Sequence, residues 1–244
     1  MSRGVNASHK DMNMTTIEDE ELIRLIAQEP FARTSSGNSA GQISGRSMSL
    51  FAGSLSRDER RMVSRSGRYA RLSADAVLDS RTQAPLWFEY HTAGLMNVGW
   101  RVDFDSVRKV VRSNFGGSLV TGYRDATWDI VNPQVRALTA EVLKRFEASP
   151  PGQSLFFSNI EEARIFNIMP VVHNAAGQVE LHVHFVNLFV KEWTNKFWFW
   201  DIPERSAELS VSIAHFVLDK QRYVERQPML DKALMDFAED ELDF

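Results

Sequence analysis

Four β-rich runs follow one another over residues 163–220, and no other stretch narrows the choice of fold as far. They cover 164–173, 179–190, 196–201 and 207–219, and are separated by short polar breaks at 174–177 and 191–195 and by Pro203. Adjacent antiparallel strands need only short connections, whereas parallel neighbours need a crossover of about a dozen residues or more. The spacing therefore predicts an antiparallel β-meander over 163–219. In the second run Leu181, Val183, Phe185 and Phe189 share one face, and His182, His184, Val186, Leu188 and Val190 share the other. In the third, Phe197, Trp198, Phe199 and Trp200 are aromatic on both faces, which suits a strand covered on both sides or pressed into an interface.

Elements able to cover such a sheet lie earlier in the chain. Ser56 with Glu59 forms a capping-box pattern that opens a helix. Leu55, Met62, Tyr69 and Leu72 lie near a heptad seam of that helix, and Arg57, Arg61, Arg65 and Arg68 line its opposing face. Pro85 starts a second helix with Trp87, Tyr90, His91, Gly94 and Leu95 on one side. Next, Trp100, Val102 and Phe104 alternate with Arg101, Asp103 and Asp105, which predicts a strand over about 100–110. Residues 114–130 give a mixed pattern. Asn132 and Pro133 then cap and begin a helix striped by Val135, Leu138, Val142, Leu143 and Phe146, and the 150–152 Pro-Pro-Gly break ends it. A further helical pattern runs from Lys220, with a break at Pro228. The expected class is α+β: an antiparallel meander and an earlier strand, packed by amphipathic helices on one face.

The domain plan follows from composition along the chain. Residues 1–32 read as a tail and a short helix capped by Thr15 and Glu18 and stopped at Pro30. Residues 33–49 are rich in Ser and Gly and short of large side chains, so they read as a flexible linker. Residues 50–235 form the single α+β domain, and 236–244 an acidic tail ending in Phe244.

The function classes narrow mainly by exclusion. A net charge of −4 offers no general attraction to nucleic acid, so no nucleic-acid partner is expected. With no cysteine in the chain, thiol nucleophiles and Cys-ligated zinc are excluded. Phosphate-cradling glycine motifs are missing, and no cofactor is expected. Gly37-Asn38-Ser39-Ala40-Gly41 spells a nucleophile elbow but lies in the Ser/Gly stretch without a preceding strand, so it carries no catalytic expectation. Without a signal-like apolar segment or a run long enough to span a membrane, the protein is expected in the cytoplasm or exported by a route without a cleavable signal peptide.

One metal pattern stands out. Glu180, His182 and His184 point to one face of a strand, but Glu180 and His184 are about 13 Å apart along it, too far for one first shell. A His-x-His pair needs a further ligand from a neighbouring strand, with His215 or His173 as candidates and Asp219 or Glu192 as carboxylates. His182, His184 and His215 are accordingly the metal candidates. Aromatic Trp87, Phe88 and Tyr90, then Val98-Gly99-Trp100, then strand, helix and C-terminal meander resemble a set of uncharacterised bacterial α+β proteins over residues 51–234. The resemblance implies a bacterial origin and carries no activity.

No catalytic set is recognised in these residues, so the leading expectation is a non-enzymatic interaction or assembly protein that binds a protein partner or itself. Phe197–Trp200, the Arg57, Arg61, Arg65 and Arg68 row, and Phe244 are its expected contact residues. One alternative is a toxin-like virulence effector that meets an anionic membrane through the basic helix. The other is a metal-dependent enzyme built on the His-x-His strand.

Overall fold

The capping box at Ser56 forms as its spacing demands. In the computed structural model, which describes residues 38–160, 165–190, 202–235 and 241–243, the amide of Glu59 donates to Ser56 Oγ at 3.2 Å, and the Ser56 amide donates to Glu59 Oε2 at 2.9 Å. Helix α1 (Arg57–Asp75) follows. Its most deeply packed side is made of small residues, Ser66, Gly67, Ala70 and Ala74 beside Val63, and not of the heptad positions. Small side chains let a second helix come close. A Cβ on Gly94 of α2 (Ala84–Asn97) would lie 2.8 Å from Ala70 Cα.

Strand β3 (Trp100–Gly117) begins just after Gly99, whose φ of +100° is left-handed backbone that favours glycine. A Cβ there would also lie 2.6 Å from the amide nitrogen of Tyr223. The Gly99 carbonyl accepts from the amide of Asp219 at 2.9 Å, so the Val-Gly-Trp signature joins β3 to the N-cap of a C-terminal helix. Gly99→Ala combines backbone strain with a backbone clash. It is expected to destabilise the fold by roughly 2–3 kcal/mol, read as a lower urea midpoint at unchanged slope.

Helices α3 (Leu119–Thr127), α4 (Pro133–Glu147) and α5 (Pro150–Ile160) come next. The first lies within the 114–130 stretch of mixed pattern, whose first residues belong to β3, and is capped by Ser118. Asn132 caps α4 by accepting from the Val135 amide at 2.9 Å. Helix α4 ends at Glu147, just before the prolines as expected, and these prolines then open α5, because Pro at the first helical position loses no hydrogen bond. Strands β4 (Ile165–His173), β5 (Val179–Val190) and β6 (Ile202–Leu218) form the antiparallel meander. Helix α6 (Lys220–Leu234) runs through Pro228 without ending there.

A correction concerns the expected linker. Within 33–49 and just beyond it, β1 (Ala40–Ser44) and β2 (Ser47–Phe51) form a hairpin turning at Gly45, and every residue of β2 is buried. β2 lies parallel to β4, and Asn167 Nδ2 donates to Ser47 Oγ at 3.2 Å. The serines and glycines are small because this hairpin is packed inside the sheet, so composition alone misleads. Within the expected acidic tail, Glu241–Asp243 forms β7, antiparallel to β1.

The seven strands lie in the order β3-β6-β5-β4-β2-β1-β7, all neighbours antiparallel except β2 and β4. The α+β class holds, but helices cover both faces instead of one. On one face α3, α4 and α5 meet Ile43, Met48, Phe166, Ile168, Val186 and Val211. On the other, α1, α2 and α6 meet Phe51, Met169, Val183, Phe185 and Phe216. Two apolar faces on the central strands require two covers. The expected N-terminal helix, the Phe197–Trp200 run and Phe244 lie outside the described residues. Among the described residues no helix is long and apolar enough to cross a membrane.

Candidate metal centre

The pairing of β5 with β6 places His182 directly opposite His215, with Glu180 two residues from His182 along β5. Alternation along a strand keeps Glu180, His182 and His184 on one face, and cross-strand pairing brings His215 onto the same face. The rings of His182 and His215 lie 4.1 Å apart between centroids. Nε2 of His182 approaches Oε1 of Glu180 to 2.7 Å. One ligand atom from each of Glu180, His182 and His215 lies within 4.8 Å of the others.

His182 sits at the middle of this group and is fully buried. Its approach to Glu180 is close but off the axis of a ring N–H, so neither ring nitrogen has an aligned hydrogen-bond partner among the described residues. A buried imidazole with two unused nitrogens is costly unless something engages it. The charge balance suits a cation. The His182 imidazole holds the Glu180 carboxyl below the usual range, against the opposing effect of burial. For His215, burial together with the His182 charge lowers the pKa to about 4, so the ring is neutral and able to coordinate at neutral pH. Asp103 on β3 is the register partner of His215 and adds a negative charge on its other side, partly offset by the positive charge of Arg108.

His184 is placed differently from the expectation. Its Nδ1 accepts a short hydrogen bond from the Tyr123 hydroxyl of α3, and its ring stands 6.3 Å from that of His182. Burial keeps the Tyr123 hydroxyl protonated, its pKa raised above the ordinary value. This pair ties α3 to the sheet beside the centre, and His184 stands outside the close cluster of Glu180, His182 and His215. Tyr123 lay in the unassigned stretch, and its role was marked by no sequence signal. His173 is also removed: on the opposite face it contacts Glu59 at 3.3 Å and Ser54 at 3.2 Å. Asp219 accepts from the Arg222 amide as the N-cap of α6.

Two imidazoles and one carboxylate on one side of a cation are a donor set for zinc, iron, manganese or cobalt, and they leave coordination positions for water or substrate. Bonds near 2.1 Å require ligand atoms roughly 3.0–3.4 Å apart, so small side-chain rotations would close the triad from its present spread.

Of the expected contact residues, the basic row alone lies among the described residues. Arg65 forms an ion pair with Asp231 of α6, so part of the basic row serves to hold two helices together, while Arg57 and Arg61 are exposed. Ser39 of the apparent elbow donates to Glu141 at 3.0 Å.

Neither a family model nor a curated protein matches the chain. Among solved structures, one described as "Structure of the Evf virulence factor" is similar over 90% of this chain and 91% of that chain, at 9% identity and a TM-score of 0.35.

Proposed function

We propose that this protein binds a divalent transition-metal ion through Glu180, His182 and His215. The observation that carries the proposal is the buried His182, held between a depressed carboxylate and a second imidazole, with both ring nitrogens lacking an aligned partner among the described residues. With three protein ligands, the ion keeps open positions for a bound water or a substrate oxygen, the arrangement of catalytic and not of closed structural sites. The chemistry supported is therefore Lewis-acid or hydrolytic. The buried position of His182, paired in the sheet with a half-buried His215, gives the rigidity such a site needs.

Titration of the full chain with Co²⁺ tests this. The expected result is a visible absorption band saturating at one ion per chain and displaced by Zn²⁺. A featureless spectrum of the hexa-aqua type, or binding without a defined stoichiometry, would overturn it.

An interaction role, the leading expectation from sequence, is a second reading. Phe189 and Val111, exposed by 52% and 50%, lie on a part of the sheet beyond the cover of α1 and α2. Analytical ultracentrifugation and gentle co-purification test it. A monomer that retains no partner would remove it.

A further inference from the structure

We infer that the outer edge of β3 is a docking site for an acidic, extended segment of a partner protein, which adds to the sheet as an eighth strand. This rests on sheet order and charge and is independent of the metal centre.

β3 stands at one end of the sheet and pairs along one side with β6 from Trp100 to Gly117. Among the described residues no strand pairs with its other side. Its ladder with β6 is interrupted between Asp103 and Arg108 and again beyond Ser113, and the regular stretch Arg108–Ser113 presents a row of backbone donors and acceptors over roughly 20 Å, which is a template for a further strand. The opposite end of the sheet shows what such an edge accepts here. β7, with sequence Glu-Leu-Asp, closes the edge of β1.

Charge selects the occupant. Over 107–117 the strand carries Arg108, Lys109 and Arg112 and no acidic residue, in a chain whose net charge is −4. All three are exposed, and neither Lys109 nor Arg112 meets a carboxylate among the described residues, while Arg108 donates to its neighbour's carbonyl at 2.8 Å. Alternation sends Arg108 and Arg112 to the face shared with Val110, which packs on the α3–α4 side, and Lys109 and Val111 to the other. Both faces of an incoming strand would then meet cations. Val107 and Val111, 44% and 50% exposed, supply apolar contact between them.

A second copy of this strand is a poor occupant. Antiparallel self-pairing would bring two sets of three cations together, and like charges opposite one another are destabilising. Cations on an edge are also the usual protection against self-aggregation. The same residues that repel a copy attract a segment with carboxylates on both of its faces, and main-chain pairing then supplies affinity as in other strand additions.

The test uses the full chain and a labelled 12-residue peptide repeating Glu-Glu-Val-Thr, which puts carboxylates on both strand faces, with a Lys-for-Glu version as control. Fluorescence anisotropy at low salt is expected to show saturable binding of the acidic peptide at least tenfold tighter than of the basic one. Binding should fall at least tenfold in the double variant Lys109→Glu, Arg112→Glu, which changes exposed side chains and leaves the core intact. Hydrogen exchange is expected to show new amide protection confined to β3. Equal binding of the two peptides, unchanged affinity of the double variant, protection outside β3, or concentration-dependent self-association through this edge would each overturn the inference.

Discussion

Replacing His182 by alanine is expected to weaken cobalt or zinc binding by roughly a thousandfold, beyond the ten- to hundredfold that loss of a supporting group costs. The reason is position. His182 stands close to both other ligands, at 2.7 Å from the Glu180 carboxylate and 4.1 Å between imidazole centroids from His215, and it is fully buried. Without it the two remaining ligands sit on different strands with no donor between them. His184→Ala separates this from a general loosening of the strand, since it removes the neighbouring buried imidazole but only the contact to Tyr123. That variant should lose about tenfold or less. Both affinities are read by competition against a chromophoric chelator. Urea midpoints without and with metal show whether each variant folds, because a ligand at 100 times its Kd adds about 2.7 kcal/mol to stability. If His184→Ala lost as much affinity as His182→Ala, the ligand set Glu180, His182 and His215 would be wrong.

Acid is expected to destabilise the fold through His91, on the opposite face of the sheet from the candidate centre. His91 is fully buried on α2, stacked on Trp87 at 5.2 Å between centroids, with both ring nitrogens unpartnered among the described residues. Burial, with the nearby Arg71 charge and against that of Asp75, lowers its pKa to about 3. An unfolded chain binds a proton at this residue below about 6.5, while the folded chain stays neutral until about 3. The native state therefore keeps the full contribution of the neutral ring above pH 6.5 and loses it as the pH falls towards 3. The loss is about 1.4 kcal/mol per pH unit within that window. His91→Leu, similar in size and without a titrating group, should leave stability near pH 7 within about 1 kcal/mol and lose less than the parent at pH 5 and 4.5. Urea unfolding at those pH values is the measurement. Parallel curves for the two proteins would mean that His91 takes up its proton equally in the folded and unfolded states.

How much of this was legible in the sequence depends on whether a feature is local. The Ser56–Glu59 and Asn132–Pro133 helix starts are short-range hydrogen bonds, and both form where their spacing placed them. The alternation of β5 also held, because a period of two assigns Glu180, His182 and His184 to one face whatever the neighbours are. The linker expectation failed for the opposite reason. Ser and Gly are frequent both where a chain is free and where it must pack closely, and the buried β1–β2 hairpin is the second case.

Sequence by itself thus determined the strand periods, the caps and the presence of two histidines on one strand face. It also left no cysteine chemistry to consider. Tertiary structure alone decided that β6 places His215 opposite His182, that Tyr123 occupies His184, and that β3 stands at the end of the sheet. Register and strand order follow from which faces can be covered together. That is a property of the assembled sheet, set by the two helical layers, and no single segment contains it.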